Sequence, residues 1–281
     1  MRDNGQLIER NSNQNMHKPV LLHESISALD LESGEIFLDA TYGAGGHSGE
    51  VKKRFPTVEV IAIDQDPKVG AIRANFRDLD RVVSGKVDAI LFDLGISTDQ
   101  LEDLGRGFSF LRDEPLDMRM SREGITAADI LNSWDEEAIE LILRGFGEER
   151  GSRKIAHEIV ARREKNPFVT TFDLVKVLGP RRGKIHPATK TFQALRIAVN
   201  EELTALEIGL EKGFEALKAG GRFVVISFHS LEDRIVKNFF KDRVKEGTAK
   251  RINKKPIVPS DEEREANPRS RSAKLRVLEK L

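Results

Sequence analysis

The sequence predicts an α/β fold, a doubly wound parallel sheet with a helical insertion. Three observations predict it. Short apolar runs alternate with helix-like stretches, most of these runs lead into an acid or a glycine turn, and two successive runs lie about 130 residues apart, far more than one crossover needs. Ile36-Phe-Leu-Asp-Ala40 reads as the first strand, followed by the turn Tyr42-Gly-Ala-Gly-Gly-His47 and a helix over Ser48 to Arg54. Val58 to Ile63 reads as a second strand ending at Asp64-Gln-Asp66, and Pro67 is placed to open a helix. Lys86 to Phe92 is the third strand, ending at Asp93-Leu-Gly95. Arg222 to Ser227 is the fourth, after a turn at Gly220-Gly221, and Lys274 to Leu278 the last. Helical spacing covers Thr126 to Leu143, Ser152 to Lys165 and Glu201 to Leu217, with helix starts at Thr126 and Thr171, each followed by an acid.

These readings give a domain plan. Residues 1–16 form a disordered tail, 17–102 and 186–281 build the sheet domain, and 103–185 form an inserted helical domain at the carboxyl edge of the sheet. With no cysteine, the chain has no disulfide, thiolate metal site or cysteine nucleophile. The six histidines are scattered without ligand spacing, so no metal is expected, and no Gly-x-Ser-x-Gly elbow occurs. No signal peptide is read at the polar N-terminus and no run of 18 apolar residues is present, which points to the cytoplasm. The net charge is zero, yet Lys241 to Leu281 carries a local excess of +6, the kind of footprint that suits nucleic acid as well as a plain solvated surface.

Asp39 to His47 is the strongest local constellation. Its glycines let a ligand approach the backbone, the following helix offers free N–H groups, and Asp64 lies where a nucleotide fold places an acid on ribose hydroxyls. The loop lacks G-x-G-x-x-G, and Asp39 can face the cationic amine of a methionine moiety. Both favour S-adenosylmethionine over a dinucleotide.

The chain resembles the RsmH (MraW) family of 16S rRNA cytosine-N4 methyltransferases. The matching stretches are His17 to Leu22, Asp39 to His47, Asp93-Leu-Gly-Ile-Ser97, Arg106-Gly-Phe-Ser-Phe110, Pro115 to Met120, Gly147-Glu-Glu-Arg150, His186 to Arg196, Ser227 to Arg234 and Asn267-Pro-Arg-Ser-Arg271. The resemblance implies a Rossmann-like S-adenosylmethionine methyltransferase sheet whose helical insertion helps to hold RNA. It implies cofactor contacts at Gly45, Gly46, His47, Asp64, Phe76, Asp93 and Gln100. It also implies 16S rRNA or the small ribosomal subunit as partner; a homodimer is compatible with it. The chain departs from the family in two places. Between Asp66 and Asn75 only eight residues stand where relatives have a helix and a further edge strand, and Thr98-Asp99 replaces Ser-Pro.

Methylating an exocyclic amine requires an acceptor beside it, because the lone pair is delocalised into the ring. Asp93 and Ser97, at the end of a central strand, are the first candidates, and Asp117 is the alternative, with a loop salt bridge to Arg119 or Arg112 as its competing role. The base must leave its stack, and Phe108 and Phe110 are candidates to receive it. Arg119, Lys184, Lys190, Arg196, His229 and Arg234 are the expected RNA contacts, with Arg181 and Arg182 in the same basic cluster. The residues alone also admit a methyltransferase with another acceptor, or a non-catalytic RNA-binding assembly protein.

Overall fold

A computed structural model describes residues 19–96, 105–180 and 186–281. The expected tail, Ser97, Gln100, Arg181, Arg182 and Lys184 lie outside the described residues.

The sheet has seven strands: β1 (Ile36–Asp39), β2 (Glu59–Asp64), β3 (Ile72–Arg73), β4 (Val87–Asp93), β5 (Leu217–Ser227), β6 (Ala249–Arg251) and β7 (Lys274–Lys280), in the order β3-β2-β1-β4-β5-β7-β6. Strands β3 to β5 are mutually parallel. The last strand departs from the all-parallel expectation. β7 runs antiparallel to both β5 and β6, so the chain returns along the edge without the helical crossover a parallel strand would need. Gly220 and Gly221 lie inside β5, at an irregularity where Val87 pairs with Leu217 and Ala89 already with Arg222.

Alternation along the central strands explains why helices cover both faces. Ile90 and Phe92 of β4 point into one apolar cluster with Phe223 and Val225 of β5, while Ala89 and Leu91 point into the other with Val224 and Ile226. The first cluster is closed by α9 (Glu202–Ala216) and α10 (Ser230–Lys245) through Leu206, Leu210, Phe214, Val236 and Phe240; the second by α1 (Leu22–Leu29) and α2 (Gly46–Arg54) through Ile26, Leu29 and Val51.

The short segment after Asp66 is neither the helix that Pro67 suggested nor strandless. It forms turns and then β3, two residues paired with Ile63 and Asp64. A 3-10 turn over Phe76–Asp78 and the single-turn helix α3 (Leu79–Val82) then return the chain to β4.

Between β4 and β5 lie α4 (Ala127–Ser133), α5 (Glu136–Gly145), α6 (Ser152–Arg163), α7 (Thr171–Leu178) and α8 (Pro187–Asn200). The stretch expected as one helix from Thr126 to Leu143 is two. Asp135 accepts the Ala138 N–H as a new N-cap and starts the second. Thr126 caps α4 through a capping box with Asp129. Thr170, one residue ahead of the expected start, caps α7 with Asp173, while Thr171 is buried and donates its hydroxyl to Arg112 O. These helices share a third apolar cluster, including Phe108, Met118, Ile130, Leu143, Ile159 and Phe168. It reaches past residue 185 to Ala188, Phe192 and Leu195 of α8.

One ion pair ties this helical part to the sheet. Arg106 and Asp66 are each 3% exposed and meet at 3.1 Å, and the same guanidinium donates to the carbonyls of Arg119 and Met120. A buried charge left alone is costly. Arg106→Met is therefore expected to lower the stability of the chain to urea by about 3–5 kcal/mol. A loss below about 1 kcal/mol would show that the Asp66 carboxylate is compensated without it.

Candidate active site

The strand order reverses between β1 and β4, and an open α/β sheet binds its ligands at the carboxyl ends of the strands at such a point. A cavity of about 330 Å³ lies there. Its walls come from the loop after β1 (Thr41, Tyr42, Gly43, Gly46, His47), the end of β2 (Asp64, Gln65), Asn75 and Phe76, the end of β4 (Asp93, Leu94), and Arg196, Asn200, Glu202 and Glu232 from α8, α9 and α10.

The glycine loop is shaped for close approach. Gly45 has φ +76°, and a Cβ there would stand 2.5 Å from Tyr42 Oη; at Gly46 it would run into the Pro19 ring. Gly46 opens α2, so the N–H groups of the first turn face the cavity side of the loop. Asp64 braces the loop from β2: one oxygen accepts the Gly43 N–H and the other the Asp66 N–H, both at 2.8 Å. Burial raises its pKa, opposed by those donors.

Three further acids stand close behind. Asp39 is fully buried and does not face the cavity, contrary to expectation. Its oxygens accept from Ser48 Oγ at 2.6 Å and the Thr41 N–H at 3.2 Å, and it acts as the knot of the loop. Burial, opposed by those two bonds, pushes it up to about 6. Glu232 accepts the N–H groups of Phe228 and His229 and lies 3.1 Å from His229 Nε2. Burial works against its charge, but His229, Arg196 and the backbone donors hold it below the usual carboxylate range. Asp93 is the exception. Its N–H donates to Thr41 Oγ1 and its Oδ2 lies 3.7 Å from His47 Nδ1, but the buried Oδ1 has no partner among the described residues. Burial, then the charges of Asp39 and Glu232, holds its pKa well above the usual value.

The cofactor residues named from sequence converge. Gly46, His47, Asp64, Phe76 and Asp93 line the cavity, and Gly45 shapes its loop. Phe76 arrives despite the shortened segment, stacked on Phe92 with centroids 5.0 Å apart. The RNA candidates converge less. Phe108 is buried in the helical cluster under Arg106, whereas Phe110 stacks on His186 at 4.9 Å. Asp117 does not reach the cavity. Arg119 takes both its oxygens, at 2.9 and 2.7 Å, so each satisfies the other. Lys190 and Arg234 meet at Glu148, one on its carbonyl and the other on its carboxylate, and His229 caps α10. Arg196 lies in the cavity wall itself.

No sequence pattern assigned a role to Thr41, Asn200, Glu202 or Glu232. Only Glu232 carried a local signal, the capping-box spacing of His229-Ser-Leu-Glu232. The absence of metal-ligand spacing did not foresee that Glu202, His229 and Glu232 bring ligand atoms within 4.8 Å of one another. The positive charge such a trio calls for is supplied by Arg196, which occupies both oxygens of Glu202.

A carboxyl with a raised folded-state pKa favours folding while protonated and loses that contribution as pH rises through the folded value. Between pH 5 and pH 8, wild type is expected to lose about 1–1.5 kcal/mol of stability relative to Asp39→Asn, whose side chain does not titrate. Urea midpoints of both proteins at the two pH values measure this. A pH-independent difference would mean that Asp39 ionises normally in the fold.

Comparison with known proteins matches this sequence to a family. Among the described residues no helix is long and apolar enough to cross a membrane. A Ribosomal RNA small subunit methyltransferase H of Carboxydothermus hydrogenoformans is 44% identical over 94% of this chain and 98% of its own, and one of Neorickettsia sennetsu 46% identical over 95% and 96%. A solved rRNA methylase of Streptococcus thermophilus superposes over 92% of this chain and 93% of its own with TM-score 0.43 and 12% identity, too slight a likeness to carry a functional argument. The family model of the MraW methylases matches residues 14–281, and the chain belongs to that family.

Proposed function

We propose that this chain is an S-adenosylmethionine-dependent methyltransferase that methylates the exocyclic N4 amine of a cytidine in 16S rRNA of the small ribosomal subunit. The observation that carries the reading is Asp93: a buried carboxylate oxygen with no partner among the described residues, at the carboxyl end of a central strand, in the wall of the cavity that the glycine loop also lines. The relatives named as small-subunit rRNA methyltransferases supply the substrate class.

The residues fit the cofactor. Phe76 would offer an aromatic face to adenine, Asp64 carboxylate oxygens to ribose hydroxyls, and Asp93 and His47 polar atoms to the methionine moiety, around a loop in which Gly45 and Gly46 let Tyr42 and Pro19 pack against the backbone. When bound, S-adenosylmethionine supplies a methyl on a positively charged sulfur.

The protein's own part is to hold the amine and to take its proton. An unpartnered oxygen at Asp93 accepts an N4–H, which both aligns the amine and stabilises the positive charge that grows on nitrogen. The raised pKa of Asp93 makes it a better proton acceptor than an exposed aspartate. Thr41 fixes the backbone at Asp93, and His47 Nδ1 stands 3.7 Å from the other oxygen. The target base must be extruded to reach this depth, and the stacked Phe110 and His186 offer an aromatic surface on the helical side.

Calorimetry and methyl transfer test the reading together. Wild type is expected to bind S-adenosylmethionine with micromolar affinity, and Asp64→Ala to weaken it at least about tenfold, or about 1.4 kcal/mol. Asp93→Asn is expected to cut the rate of transfer to small-subunit RNA by about 10²–10³. Binding without transfer to any small-subunit RNA would redirect the search to another acceptor. No binding by wild type would favour a non-catalytic RNA-binding role.

A further inference from the structure

The cavity wall contains a half-buried arginine whose guanidinium is only partly used. Arg196 ends its side chain against Glu202, with Nε and Nη2 donating to Oε1 and Oε2 at 2.8 and 2.9 Å. The two residues meet because Glu201, at φ +49°, ends α8 and starts α9 on a new axis. The fork uses two of the three guanidinium nitrogens. Nη1, with two N–H groups, has no partner among the described residues, although the side chain is only 17% exposed and lines the cavity. Forked this way, the guanidinium plane is held in place and is not free to search for partners.

The cavity wall therefore offers a ligand two unused polar features, the acceptor Asp93 Oδ1 and the paired N–H donors of Arg196 Nη1. Glu232 lies in the same wall, and its charge favours the protonated form of both side chains. Among the four bases only one carries a matching edge. Cytosine has an N4 donor next to two acceptors, N3 and O2. Uracil and guanine would set a carbonyl oxygen against the carboxylate and an N–H against the guanidinium. Adenine has an amine and one acceptor, but a C–H where the second acceptor is needed.

We propose that Arg196 reads the N3/O2 edge of the target cytosine, with Glu202 as the residue that positions it, while Asp93 holds the N4 amine. This rests on the function proposed above and adds the means by which the base is chosen.

A cycle between enzyme and base tests it. Small subunits are reconstituted with rRNA carrying either cytidine or 3-deazacytidine, which lacks the N3 acceptor, at the position wild type methylates. Transfer by wild type and by Arg196→Gln is compared. Each change alone is expected to lower kcat/KM at least about tenfold, and the two together no further than one. Arg196→Lys, which keeps the charge and loses the fork, is expected to behave like Arg196→Gln. Calorimetry should give Arg196→Gln an S-adenosylmethionine affinity within twofold of wild type. Penalties that multiply would show that Arg196 does not touch the base edge and would overturn the inference alone. A wild type that transfers no methyl to cytidine RNA would overturn the proposed function and the inference with it.

Discussion

Four carboxylates, Asp39 and Glu232 buried and Asp64 and Asp93 half-buried, gather at one cavity or beneath it, and the rest of the site is arranged to keep them there. A buried, unsatisfied charge is among the most expensive features a fold can carry. Asp39 is met by Ser48 and Thr41, Asp64 by the backbone of Gly43 and Asp66, and Glu232 by the backbone of Phe228 and His229. The glycine loop takes its shape because its N–H groups and side chains are the donors these acids need. Among the described residues Asp93 alone of the four keeps an oxygen without a donor, and burial, then its neighbours' negative charge, makes that oxygen more basic. A site tuned this way is incomplete until a donor arrives, which is the condition a cofactor and an amine both fulfil.

The helical part is joined to this centre through buried contacts between polar groups. Arg106 reaches from the start of that part to Asp66, next to the acid that braces the loop. Asn200 bonds the backbone of Met118 and Met120, and Gln65 lies on the sulfur of Met120. A base held between α8 and the sheet would touch both halves, so the same contacts that fix the relative position of the halves also fix how far the amine lies from the glycine loop.

Much of the architecture was legible. Alternating apolar runs located β1, β2, β4 and β5, and the capping residues Thr126 and Asp129 marked a helix start, because these signals depend on neighbours in the chain. The glycine loop and the acids at three strand ends marked the cavity for the same reason. Less legible were the direction of β7, the break at Trp134-Asp135 and the two-residue edge strand β3. Each depends on which surface the segment meets and not on its own pattern. Phe108 and Asp117 show the limit most clearly. Their residue types suit stacking and proton acceptance, but Phe108 is consumed by the helical core and Asp117 by Arg119.

The sequence by itself determined the periodicities, the caps and the glycine turn, and with them the strand ends on which Asp39, Asp64 and Asp93 stand, because backbone geometry and hydrogen bonding act over a few residues. Tertiary structure decided the rest. It chose which acid would be left with a free oxygen, and it brought Arg196, Glu202 and Glu232 from three helices into the wall opposite the loop. Those outcomes depend on burial and on partners more than a hundred residues away, and no local pattern encodes either.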